Sequence, residues 1–238
     1  MGLPGRILRA CWHLIPGRVR ERVRGLPSVV RLRNWVSRRR WQHATHDEIC
    51  DADYFRFVER TTSESADTIA DSIVSNFRPG TVADVGCGTG VLLDRLRTRG
   101  VVVWGLEYAK AALEVCRDRE LDVTTFDVTN DDLPAGLTAD LVVSMEVGAQ
   151  LPESAADRYV DLLCRIAPLV VFSVEAPGGG DRYPRNEQPH SYWVEKYRRR
   201  GFAFEEAISL EWRKKWKEAG TAPWFSRNVM VFRRDPKE

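Results

Sequence analysis

No run of 18 apolar residues occurs in this 238-residue chain, so no helix in it is expected to span a bilayer. Its first residues carry neither the apolar core nor the small-residue cleavage site of a secretory signal. Cysteine is scarce. The five residues (Cys11, Cys50, Cys87, Cys116 and Cys164) form no C-x-x-C pair and are odd in number, which argues for reduced thiols in the cytoplasm rather than a disulfide framework. Histidine is scarcer, at four, and the set His43, His46 and Cys50 lacks a fourth ligand, so no metal site is expected. Internal repeats and low-complexity tracts are also missing. What remains is an ordinary globular balance, 43% hydrophobic and 29% charged, at a length that suits one domain with appendages.

The net charge of +2 conceals an uneven split. Residues 1–40 hold eleven arginines and one acid, Glu21, against 25 basic and 33 acidic residues in the remainder. Residues 1–45 therefore read as a basic extension on an acidic body. Such an arm suits an anionic membrane surface, a nucleic acid, a partner's acidic face, or the acidic face of its own domain. Leu8, Ile15, Val19, Val23 and Leu26 recur at helical spacing, but Pro16-Gly17 interrupts them. The sequence does not specify an oligomeric state.

From residue 64 onward, helical and extended patterns alternate. "SADTIADSIVSNF" places Ile69, Ile73 and Phe77 four apart, a helix ending before Pro79-Gly80. "TVADVG" reads as a buried strand and "GVLLDRLRTRG" as a helix followed by Gly100. "VVVWGLE", "DVTTFDV", "ADLVVSME" and "LVVFSVE" read as four more strands, with "AKAALEVCRDRE" and "ESAADRYVDLLCRI" as helices among them. This alternation predicts an α/β fold, with a parallel sheet covered by helices on both faces. "HSYWVEKYRRRG" is a further helix, and "FAFEEAISL" and "NVMVFRR" lie close enough for an antiparallel finish.

The stretch "VADVGCGTG", Val82 to Gly90, carries the chemistry. A P-loop would need Lys after its glycines, and a dinucleotide fingerprint would need Gly or Ala at position 91, which is Val91. Asp84 stands two residues before Gly86 at the strand's end. A carboxylate there repels a pyrophosphate but attracts a ligand bearing an amino group and a sulfonium. Glu107, 21 positions after Gly86, ends the next strand and offers two oxygens to ribose hydroxyls. Asp127 closes the third and can accept from an adenine amine. Three acids at the ends of three successive strands point to S-adenosylmethionine.

On these residues the chain resembles the class I S-adenosylmethionine-dependent methyltransferases over residues 64–235. "VADVGCGTG" matches their first motif, "GLEYAK" the second, "TTFDVT" the third and "LVVSMEVGAQLPE" the fourth. The resemblance implies a Rossmann-like sheet of seven strands, mostly parallel, with an antiparallel last strand. It implies cofactor contacts at Asp84, Gly86, Cys87, Gly88, Gly90, Glu107, Tyr108, Asp127, Val128 and Met145. It also places a methyltransferase domain at 46–238, with lid elements at 46–63, 176–190 and 209–226.

The acceptor is read from the residues that come after the fourth strand. "SMEVGAQLP" lacks the Asn/Asp-Pro-Pro-aromatic run that orients an amine, and no Pro-Cys occurs there. This stretch, "NEQPHSYWVEKYRRRGF" and "WFSRNVMVF" resemble bacterial small-molecule methyltransferases of sugars and glycolipids. The expected acceptor is thus a hydroxyl of a sugar, glycoside or other small polyhydroxylated metabolite. His190 and Glu146 are the candidate bases. Tyr54, Gln150, Glu187 and Trp193 are candidate acceptor contacts, and late tryptophans, among them Trp212, Trp216 and Trp224, would suit a sugar face. Glu146, Glu175 and Asp181 could hold a divalent metal, but no spacing demands it. Two alternatives stay open: RNA methylation guided by the arginine-rich arm, and a scaffold that binds the cofactor without chemistry.

Overall fold

The β-branched runs and the helices between them assemble one seven-stranded sheet in the order β3-β2-β1-β4-β5-β7-β6. The strands are β1 (Thr81–Val85), β2 (Val102–Glu107), β3 (Val123–Thr125), β4 (Leu141–Met145), β5 (Leu169–Ser173), β6 (Phe202–Phe204) and β7 (Met230–Arg234). In this computed structural model residues 52–177 and 186–236 are described. The basic extension, His43, His46, Cys50 and Asp181 lie outside them, as do 46–51 and 178–185 of the expected lids. Neighbouring strands from β3 to β5 pair in parallel, and β7 runs antiparallel to both β5 and β6. The expected α/β fold with a reversed last strand is the fold observed.

The strands are apolar on both faces because helices cover both. On one side lie α1 (Ala52–Phe77), α2 (Val91–Arg97), α6 (Glu206–Glu218) and α7 (Pro223–Asn228), which bury Ile69, Ile73, Leu92, Leu96, Trp212, Trp216 and Phe225 against Val82, Leu141, Val143, Val171 and Val231. On the other lie α4 (Ala156–Ile166) and α5 (His190–Arg198), which bury Tyr159, Leu163, Trp193 and Tyr197 against Val85, Val142, Phe172 and Phe232. The helix α3 (Lys110–Asp118) contributes Cys116 to a small cluster with Leu93 and Leu121.

Two expectations change here. The third strand stops at Thr125, before Phe126 and Asp127, because the chain turns there: Asp127 accepts at Oδ1 from the Thr129 backbone N–H (2.8 Å) and hydroxyl (2.6 Å). Of the stretch 209–226, α6 is core rather than lid. The Trp212 and Trp216 rings stack at 5.3 Å, and their N–H groups donate across to Asn76 Oδ1 (3.1 Å) and Ser72 Oγ (2.9 Å) of α1. Buried indoles with satisfied donors are structural. They offer no face to a sugar.

Candidate active site

Every strand from β1 to β5 ends at the same edge of the sheet, and the loops that leave them enclose a cavity of about 990 Å³. Its floor is the glycine turn. Gly86 sits at φ +74°, and a Cβ there would lie 2.4 Å from Val147 Cγ2. Only glycine lets the backbone lie this close to the β4 loop, where the Gly86 N–H donates to the Leu106 carbonyl at 2.8 Å. Gly90 has another task. It caps α2 at φ +74° beneath Leu121 and Cys116 and stands outside the cavity wall. Thr89 is anchored by Arg119, whose guanidinium donates to its carbonyl (2.5 Å) and pairs with Glu59 of α1 (2.5 Å).

Three acids mark the strand ends. Asp84 is 4% exposed, and burial together with the Glu107 charge raises its carboxyl to about 8. Glu107, nearly as buried, holds the turn together: Oε2 accepts from the Gly88 N–H (2.8 Å), and Oε1 from the Tyr108 and Ala109 N–H groups (2.7 Å each). Asp127 lines the cavity while its carboxylate braces the turn to Asn130, whose amide donates to Oδ2 at 2.7 Å. Cys87 lines the floor as a neutral thiol, its pKa pushed up by its hydrogen bond with Cys116 and by burial beside Asp84 and Glu107.

Burial and the Glu107 charge disfavour the ionised form of Asp84, and a cationic group beside it would favour that form. The donor set fits S-adenosylmethionine: a carboxylate for the amino group, a second beside it for hydroxyls, and a glycine turn with no room for a Cβ at Gly86. Asp84, Gly86, Cys87, Gly88, Glu107, Tyr108, Asp127, Val128 and Met145 all border this one cavity.

The other half of the cavity is assembled from distant segments. Tyr54, Phe55, Val58, Thr61 and Thr62 come from the first turns of α1; Glu146, Val147, Gln150 and Leu151 from the loop after β4. Glu175 follows β5, and Pro223, Trp224, Phe225 and Arg227 come from α7. Tyr54 and Gln150 meet directly, the amide donating to the phenol oxygen at 3.1 Å. Glu146 adopts φ +61°, a left-handed conformation that costs a non-glycine residue about 1–3 kcal/mol. Its backbone N–H is fixed by the Ser173 carbonyl at 2.9 Å.

Three candidate residues lie elsewhere. Trp193 is wholly buried, packed on Phe172 (5.3 Å) and edge-on to Tyr159 and Tyr192. It is a core residue because its helix must fill the hollow left by Gly148, whose Cβ position is 3.0 Å from the indole. Glu187 is half-buried and stands away from the cavity wall. His190 also stands behind the wall, with Nε2 3.2 Å from Asn228 Oδ1, so it does not reach an acceptor. Burial and the Arg213 charge lower its pKa, keeping the ring neutral.

Sequence reasoning left Glu175 as a metal candidate only and missed Thr61, Thr62, Val147 and Arg227. Glu175 had a signal: like Asp84, Glu107 and Asp127, it is an acid at the carboxyl end of a parallel strand. Among the described residues no group of three or more His, Cys, Asp or Glu side chains is arranged to hold a metal ion. None of their helices is long and apolar enough to cross a membrane.

This sheet order, with a glycine turn and acids at the strand tips, is that of the class I S-adenosylmethionine-dependent methyltransferase fold. Known proteins agree with it. Residues 82–167 match the sequence model of the methyltransferase domain family. No curated protein sequence matches the chain. Among solved structures, a magnesium protoporphyrin IX methyltransferase from Synechocystis PCC 6803, solved with bound SAH, is 16% identical with a TM-score of 0.56, over 85% of this chain and 94% of that one. SAM-bound CalS10, an amino pentose methyltransferase from Micromonospora echinaspora, is 19% identical with a TM-score of 0.56, over 76% and 95%. The sugar N-methyltransferase KedS8 from Streptoalloteichus sp ATCC 53650 is 14% identical with a TM-score of 0.57, over 76% and 91%. At these identities the likeness is one of fold.

Proposed function

We propose that the protein transfers a methyl group from S-adenosylmethionine to a hydroxyl of a sugar, glycoside or other small polyhydroxylated acceptor. The observation that carries this reading is the acceptor half of the cavity. Two carboxylates, Glu146 and Glu175, face it together with the Gln150 amide, the Tyr54 phenol and the Thr61 and Thr62 hydroxyls. A polyol presents many O–H groups, and such a wall offers many acceptors and donors.

The cofactor supplies an activated methyl on a sulfonium, so the protein's work is alignment, exclusion of water and removal of one proton. Asp84 and Glu107 grip the donor from below. Tyr54 and Gln150, joined to each other, close over it from α1 and the β4 loop. Trp224 on α7 is half-buried at the cavity and can take a sugar ring on its face, the role that the buried Trp193 cannot fill.

A second reading, transfer to the nitrogen of an amino sugar, draws on CalS10 and KedS8. The missing Asn/Asp-Pro-Pro-aromatic run speaks against it. Labelled S-adenosylmethionine incubated with methyl glycosides and with their amino-sugar counterparts separates the two. Label on oxygen is the expected result; label confined to nitrogen rejects the oxygen assignment.

A further inference from the structure

Glu175, one of the two carboxylates in the acceptor half, has a built support. Glu175 is 8% exposed, and its Oε1 accepts from Asn228 Nδ2 at 3.2 Å. The same Nδ2 donates to the Trp224 carbonyl at 2.7 Å, so both hydrogens of that amide are committed. Asn228, itself 2% exposed, must then accept at Oδ1, where His190 Nε2 lies 3.2 Å away. That choice fixes the amide's orientation and leaves His190 as an Nε2–H donor. The chain of bonds runs from α5 through α7 to the loop after β5 and ends on a carboxylate facing the cavity. Among the described residues no donor reaches Glu175 Oε2.

We propose that Glu175 is the general base of the transfer and that Asn228 and His190 are its positioning residues. This assignment rests on the oxygen-acceptor reading above. A base oriented by one group, itself oriented by a third, is the arrangement that proton-abstracting sites use. As the acceptor oxygen bonds to the methyl carbon, the C–S bond breaks and its electron pair stays on sulfur, leaving a neutral thioether. The acceptor O–H bond breaks in the same step, and its proton passes to Glu175 Oε2, turning carboxylate into carboxylic acid. Solvent takes that proton after product leaves. His190 never touches the acceptor; it acts by keeping Asn228 from rotating away.

The test uses the full-length protein, labelled S-adenosylmethionine and the same panel of methyl glycosides and amino sugars. Glu175→Gln is isosteric and should lose about 10²–10⁴-fold in kcat with little change in KM. Adenosylhomocysteine affinity and melting temperature, read beside it, should hold. Asn228→Ala removes a donor that favours the ionised carboxylate, so the acid limb of the kcat profile moves to higher pH. His190→Ala should move the same limb by less, and His190→Gln, which keeps a donor, should restore it. A merely structural role would lower activity without moving the limb. Retention of O-methyl transfer by Glu175→Gln within about threefold overturns the base assignment and spares the oxygen reading. Transfer to nitrogen alone, or to none of the panel, overturns the oxygen reading and the assignment with it.

Discussion

The tips of β1 and β2 and the tips of β4 and β5 hold the two halves of one cavity, yet they are built in different ways. The first half comes from three short contiguous stretches, Asp84–Thr89, Glu107–Tyr108 and Phe126–Thr129, in which Glu107 and Asp127 bond to backbone N–H groups of these same turns. The second half gathers Tyr54, Glu146, Glu175 and Trp224, joined by side chains 53 or more residues apart in sequence: Asn228 with Glu175, and Gln150 with Tyr54. A local turn can be read as a motif, whereas a wall assembled from four segments leaves no spacing to recognise. On the proposed function, binding of the donor is a property of the sheet edge, and choice of acceptor a property of what packs against it.

Four measurements break or sharpen that contrast. The largest effect falls on the packing behind the acceptor half. Trp193→Ala should cost about 3–5 kcal/mol of stability by leaving a cavity beside Phe172, seen as a lower melting temperature. A fully stable variant with poorer sugar binding would return Trp193 to the cavity wall. Next, Gly86→Ala meets both a positive φ and the Val147 methyl, so adenosylhomocysteine affinity should fall by about 10–100-fold, ~1–3 kcal/mol. An unchanged affinity would show that the cradle is looser than its geometry.

The third effect depends on pH. Asp84 is raised in the ligand-free fold, from 3.8 to about 8, so the native state holds its proton where the unfolded chain has lost it. Stability of the ligand-free protein should therefore fall as pH rises between those two values. A cationic ligand favours the carboxylate, so binding of adenosylhomocysteine should release a proton and tighten as pH climbs toward 8, by at most about tenfold per pH unit. Calorimetry in buffers of differing ionisation enthalpy reads both signs, and proton uptake would refute the pairing. The smallest effect belongs to Arg119→Ala, which frees the Thr89 carbonyl and the half-buried Glu59, for a loss of about 1 kcal/mol or less in cofactor binding.

The strand alternation was legible from Val82 to Ser173 because parallel strands buried on both faces are continuous apolar runs. Asp84 and Glu107 were legible because each lies at the end of such a run, whereas Asp127 follows a short, exposed strand that stops at Thr125. Trp193, Trp212 and Trp216 misled because composition cannot tell an indole that stacks on a sugar from one that fills a core. Here the indole N–H groups of Trp212 and Trp216 find partners on a helix more than 130 residues earlier in the chain, a pairing no local pattern announces. His190 misled for a related reason. It starts a helix at the ligand edge, yet its ring turns toward α7, a segment whose position depends on the last strand.

That strand carries a consequence of its own. Because β7 is reversed, its first residue, Met230, lies opposite Phe172 near the end of β5, and Asn228 just before it arrives at the cavity edge. Were β7 parallel, the same short approach would deliver those residues to the far edge of the sheet, and a crossover would be needed to bring any of them back. One inverted pairing thus lets the segment leading into β7 furnish the cavity with one of its walls.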